Sequence, residues 1–106
     1  PLEWPEWGNP LDSREAFGTI RAYCPYQNVR PGAFPPVLAT AGVEDPRVGY
    51  WEPAKWIAKL REHQQAPAPL LLRTQFAAGH GGATGRYAGL DEVAEAYAFL
   101  LTALRV

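Results

Sequence analysis

The sequence predicts an α/β fold: two parallel strands joined by a crossover helix, with further helices on the N- and C-terminal sides. Three observations carry that prediction. The apolar runs at residues 37–42 (VLATAG) and 70–76 (LLLRTQF) are continuous rather than alternating, the pattern of strands covered on both faces of a parallel sheet. Between them, residues 52–63 have helical character, and two parallel strands require such a crossover, which is right-handed. Near the end of the chain, Leu90, Val93, Ala94, Tyr97, Leu101 and Leu104 recur at helical spacing.

Taken in order, residues 1–11 (PLEWPEWGNPL) are proline-punctuated and aromatic, which predicts an ordered loop lying over a surface or cleft. Ser13 is placed to cap a helix over residues 14–23, with Glu15 in the first turn, where negative charge suits the helix dipole. Cys24-Pro25 ends that helix, and residues 25–34 connect to the first strand. Past that strand, Gly42-Val43-Glu44-Asp45-Pro46 turns the chain into the helix at 52–63, which tolerates Pro53 in its first turn. Trp51, Ala54, Trp56, Ile57, Ala58 and Leu60 cover a wide arc of it, so it is expected to be covered on more than one flank. Pro67 and Pro69 break the chain before the second strand. A glycine-walled loop around His80 follows, then a helix over residues 90–104 with Asp91 and Glu92 in its first turn.

At 106 residues, 47% of them hydrophobic, the chain has the size and content of one packed domain. A net charge of −1 without a basic stripe argues against a nucleic-acid partner. One cysteine allows no internal disulfide, and no Cys/His spacing suggests zinc. The GHGGATGR segment lacks the spacing of a phosphate-binding loop, so no cofactor is expected. The apolar runs are too short to span a bilayer. A start without methionine, eleven prolines and four tryptophans point to a piece of a larger protein. Two strands cannot bury their own faces and edges, so more strands are expected from the rest of that protein.

The chemistry resides at the ends of the strands. Asp45 and His80 each follow one, and active groups in parallel sheets gather beyond the carboxyl ends of the strands. Acid before base is the order of an α/β-hydrolase triad, Ser then Asp then His. In that arrangement Asp45 accepts the Nδ1–H of His80, and His80 Nε2 takes a proton from the nucleophile. The only serine, Ser13, sits in a capping context without a glycine elbow, so nucleophile and oxyanion hole are missing from this chain. Taken singly, an aspartate before proline is commonly a turn residue, and a histidine among glycines is commonly exposed. The pair, each member after its own strand, favours catalysis. His63 is expected to be a solvated helix-end residue, and Cys24 to be buried and inert.

The runs EWGNP (6–10), YCPYQNVR (23–30), DPRVGYWEPAKW (45–56), AKLRE (58–62) and GHGGATGRY (79–87) resemble the C-terminal part of the prolyl oligopeptidase family, and within it the oligopeptidase B branch. The resemblance covers essentially the whole chain and is most specific in the third and fifth runs. It implies a parent in which a β-propeller gates an α/β-hydrolase domain, this chain being the C-terminal part of the latter. It also implies a cytoplasmic serine peptidase that cleaves short peptides, after Arg or Lys in that branch. Asp45 and His80 match the family's acid and base, and Arg47 an arginine that holds a substrate carbonyl or carboxylate. Glu3 matches the first of two glutamates in an E-x-E-E-W pattern that binds a basic side chain. Here the pattern reads Glu3-Trp4-Pro5-Glu6-Trp7, with Pro5 in place of the second glutamate, so the negative field is halved.

The residues themselves leave alternatives beside these roles. Arg47 is also placed to pair with Glu44, and Glu3 to be an exposed loop acid. An esterase or lipase on the same scaffold, or a non-catalytic segment, stands beside the peptidase reading. The expected partners are a short peptide substrate and the rest of the parent chain. Without a hydroxyl to activate, the chain alone is expected to be inactive.

Overall fold

The computed structural model describes residues 3–82, 85 and 87–105. The chain divides into two compact units, Pro1–Arg30 and Pro31–Val106.

In the first unit, α1 (Trp4–Trp7) replaces the loop expected over residues 1–11. Pro5 lies at the start of this single turn, where its fixed φ suits a helix and its missing N–H costs no bond. Glu3 O accepts from the N–H groups of Glu6 and Trp7, both at 3.0 Å, to close the turn. In α2 (Arg14–Tyr23), Ser13 Oγ accepts from Ala16 N at 3.1 Å, the cap expected from the sequence. The far end is closed by Asn28, whose Nδ2 donates to the carbonyls of Arg21, Ala22 and Cys24 at 2.8, 3.1 and 2.9 Å. These carbonyls have no partner within the helix, so the YCPYQN segment acts as a C-terminal cap. Cys24 is partly exposed rather than buried, because the chain leaves the helix there in an extended conformation.

In the second unit, β1 (Val37–Gly42) and β2 (Leu70–Gln75) pair in parallel, in a register running from Val37↔Leu70 to Gly42↔Gln75. The crossover is α3 (Trp51–His63). Its Ile57 and Leu60 are buried and, with Leu70, form the core beneath the strands. Arg61 Nε donates to Leu70 O at 2.8 Å and ties the helix to the start of β2. Gln64 braces the loops at the same end, its side chain bonding both Phe34 N at 2.8 Å and Phe34 O at 3.2 Å. His63 is only 24% exposed at its side chain, with Nδ1 at 3.0 Å from Lys59 O. It is held against its own helix rather than fully solvated.

The last helix, α4 (Ala88–Leu104), begins two residues earlier than its apolar repeat suggests, with Tyr87 at the N-cap. It shares a hollow with the sheet, lined by Leu38, Leu71 and Leu72 on one side and Ala98, Phe99 and Ala103 on the other. The strands are not covered on both faces within the described residues: Leu71 is 43% exposed, and Leu90, Val93, Tyr97 and Leu101 of α4 are at least half exposed. Two strands flanked by one well-packed helix have too little surface to cover them. Among the described residues no helix is long and apolar enough to cross a membrane.

Candidate active site

The register sets the site. Gly42 and Gln75 end the two strands side by side, and the ladder continues one step further, Val43 N donating to Gln75 O at 2.9 Å. Glu44 N then donates to Ala78 O at 3.2 Å, joining the turn after β1 to the turn after β2. Gly42 makes this approach possible. A Cβ there would overlap the Ala78 carbonyl and stand 2.9 Å from Gly79 O. Ala78 itself is buried.

Each turn then presents one side chain. Asp45 Oδ1 accepts from Arg47 N at 2.8 Å and Val48 N at 3.0 Å, a carboxylate-capped turn that fixes the side chain in one rotamer. That leaves Oδ2 facing His80, whose Nδ1 lies 2.9 Å away. The His80 turn is closed by Gly82 N donating to Gly79 O at 3.1 Å, and Gly82 takes φ +85°, which favours glycine. The Asp45 side chain is 10% exposed and that of His80 49%. The acid is therefore enclosed while the ring remains open to a partner.

The Val48 N–H does most to hold the Asp45 carboxyl down, to about 2, opposed by desolvation and helped by the Arg47 N–H and by His80. Asp45 is thus an anion at neutral pH. An anion accepts, so a neutral His80 carries its proton on Nδ1, and Nε2 is the nitrogen with the basic lone pair.

The sequence-predicted residues divide cleanly. Asp45 and His80 come together, at the distance their proposed relation requires. Arg47 is exposed, and among the described residues its guanidinium has no ion pair, so the pairing with Glu44 is not formed. Its backbone N–H, not its side chain, is what reaches Asp45. Glu3 belongs to the first unit, exposed at the N-cap of α1, in a hollow shared with Trp4, Trp7, Pro10, Ile20 and Tyr23. Ala83, Thr84 and Arg86 of the GHGGATGRY run lie outside the described residues.

Sequence reasoning missed Arg73, Glu92 and Glu95, which line with Asp45 and His80 a hollow of about 290 Å³. The available signal was Arg73 itself, a lone charge in an apolar strand run. Among the described residues no group of three potential ligands could hold a metal ion.

The sequence model of the prolyl oligopeptidase family matches residues 1–106. Protease 2 of Moraxella lacunata is 46% identical over 105 residues, covering 99% of this chain and 15% of that protein. Dipeptidyl aminopeptidase BI of Pseudoxanthomonas mexicana is 41% identical over 104 residues, covering 98% of this chain and 14% of that protein. Among solved structures, oligopeptidase B from Trypanosoma brucei with covalently bound antipain superposes with a TM-score of 0.91 at 44% identity, covering 98% of this chain and 14% of that one. The parallel strands, crossover helix and flanking helices are thus part of an α/β-hydrolase fold. The chain spans about a seventh of the length of these relatives.

Proposed function

Because this chain belongs to the prolyl oligopeptidase family, we propose that it carries the acid and the base of a serine peptidase triad, Asp45 and His80. The observation that supports this most is the 2.9 Å contact of Asp45 Oδ2 with His80 Nδ1, at adjoining carboxyl ends of two parallel strands. The third member is a serine of the parent protein outside these residues. Ser13, the one serine here, is occupied in capping α2.

In the first step His80 Nε2 takes the hydroxyl proton of that serine as its oxygen attacks the scissile carbonyl. Asp45 stabilises the imidazolium that forms, and His80 then returns the proton to the departing amine. Water repeats the cycle on the acyl-enzyme. The parent is proposed to cleave short peptides, and a cytoplasmic location rests on the family resemblance alone.

The test uses the full-length parent and a fluorophosphonate, which reacts only with an activated serine. His80→Ala is expected to abolish labelling while leaving the circular dichroism spectrum unchanged. Labelling at the wild-type rate would reject the assignment.

For specificity, Glu3 is proposed to meet a basic side chain of the substrate, and Arg47 a substrate carbonyl or carboxylate. The exposed Glu3 carboxylate beside Trp4, Trp7 and Tyr23 supports the first role, and the Arg47 guanidinium, without an ion pair among the described residues, supports the second. Glu3→Gln is expected to lower kcat/KM for arginine substrates about tenfold, the scale of one charge-assisted hydrogen bond, and to spare neutral ones. Equal losses on both substrates would remove Glu3 from specificity.

A further inference from the structure

The hollow beside His80 holds more charge than the acid–base pair uses. Its titratable side chains among the described residues are Asp45 from the turn after β1, His80 from the turn after β2, Arg73 from β2, and Glu92 and Glu95 from α4. Arg73 Nε donates to Glu95 Oε2 at 2.7 Å. Glu92, three residues earlier, shares that face of α4. Its Oε2 stands only 2.6 Å from where a Cβ on Gly82 would lie, so the residue that closes the His80 turn passes directly beneath the Glu92 carboxylate. A side chain at position 82 would displace that carboxylate as well as strain the φ of +85°.

We propose that Arg73, Glu92 and Glu95 form a clasp that positions the general base. Arg73–Glu95 draws α4 onto β2, which sets Glu92 against Gly82 and holds the His80 turn within reach of Asp45. The clasp rests on the reading of His80 as the base.

Stability alone is a poor reason for this pair. Its side chains are 48% and 47% exposed, and ion pairs so exposed contribute about 0–1 kcal/mol. Their position is the informative feature, since they line the cavity into which the imidazole is set. The mutual influence is present in the structure. The hydrogen bond to Glu95 is the main cause that raises the Arg73 guanidinium, with Glu92 adding to it, and Arg73 in turn holds Glu95 below the ordinary carboxylate range.

The experiment measures steady-state kinetics on the full-length parent. Arg73→Ala is expected to lower kcat about tenfold with KM little changed, as for a displaced base. Glu95→Gln, which breaks the same pair from the other side, should do the same, and it carries the test should Arg73→Ala fail to fold. Because the two side chains act as one pair, the double variant should cost no more than either single one. A kcat that matches wild type in Arg73→Ala or in Glu95→Gln, or losses that simply add in the double variant, overturns the clasp. His80→Ala separates the two levels: if that variant is inactive, an unchanged kcat in the pair variants rejects the clasp alone, whereas full activity in it rejects the base and the clasp together.

Discussion

An Asp45→Asn variant of the parent protein is expected to lose about 10⁴-fold in kcat of the proposed peptidase reaction with KM nearly unchanged, the scale known for the equivalent change in a serine protease triad. The hydrogen bonds around Asp45 explain why a substitution this small in shape should cost so much. Oδ1 accepts from two backbone N–H groups, Arg47 N at 2.8 Å and Val48 N at 3.0 Å. An asparagine must therefore turn its carbonyl oxygen toward those donors, which leaves its NH₂ facing His80. Two donors cannot share the contact, so His80 Nδ1 becomes the acceptor and the ring proton moves to Nε2. The nitrogen that should take the serine proton is then already protonated. Asp45→Glu would keep the charge but lengthen the side chain out of the turn, and should recover little. Stopped-flow or steady-state turnover checks this directly, with circular dichroism as the folding control. An Asp45→Asn enzyme within tenfold of wild type would mean that Asp45 does not set the tautomer of a working base.

The second large effect is expected far from any side-chain chemistry, at Gly42. Alanine there places a Cβ on the Ala78 carbonyl oxygen and 2.9 Å from Gly79 O, both backbone atoms that no rotamer change can move. The turn after β2 must shift, and with it the Gly79–Gly82 turn that carries His80. Overpacking of this kind costs about 1–3 kcal/mol, and a displacement near 1 Å at the base costs about 10²-fold in rate. Gly42→Ala is therefore expected to lower both the melting temperature and kcat, with kcat falling by about two orders of magnitude. A variant that melts and turns over like wild type would show that the two turns are not packed as tightly as this geometry requires. A Gly42→Ala loss in kcat without a loss in melting temperature would instead locate the effect wholly in the acid–base contact.

Much of this site was legible because its signals are local. Continuous apolar runs identify the strands, Ser13 announces its cap, and the two site residues follow the strands directly. Once the strands are parallel neighbours, residues just past their carboxyl ends must be close, and the Asp45–His80 contact follows from topology. Where local reasoning failed, a local signal was read in the wrong sense. Pro5 looks like a breaker but lies in the first turn of α1, where its missing N–H costs no helical bond. Cys24-Pro25 suggested a buried thiol, whereas the extended exit from α2 leaves it partly exposed.

The sequence by itself determined the order α2, β1, α3, β2, α4, the parallel pairing, and that Asp45 and His80 stand together beyond the strand ends. Each of these depends on the periodicity of neighbouring side chains or on the chain's own connectivity. Only the tertiary structure decided which oxygen of Asp45 faces the ring, that Gly42 must be bare to let the two turns meet, and that Arg73, Glu92 and Glu95 converge on the hollow beside His80. Those facts depend on where α4 crosses the sheet and how closely two backbones approach. Such distances are set by packing between residues remote in the chain, and no spacing of letters encodes them.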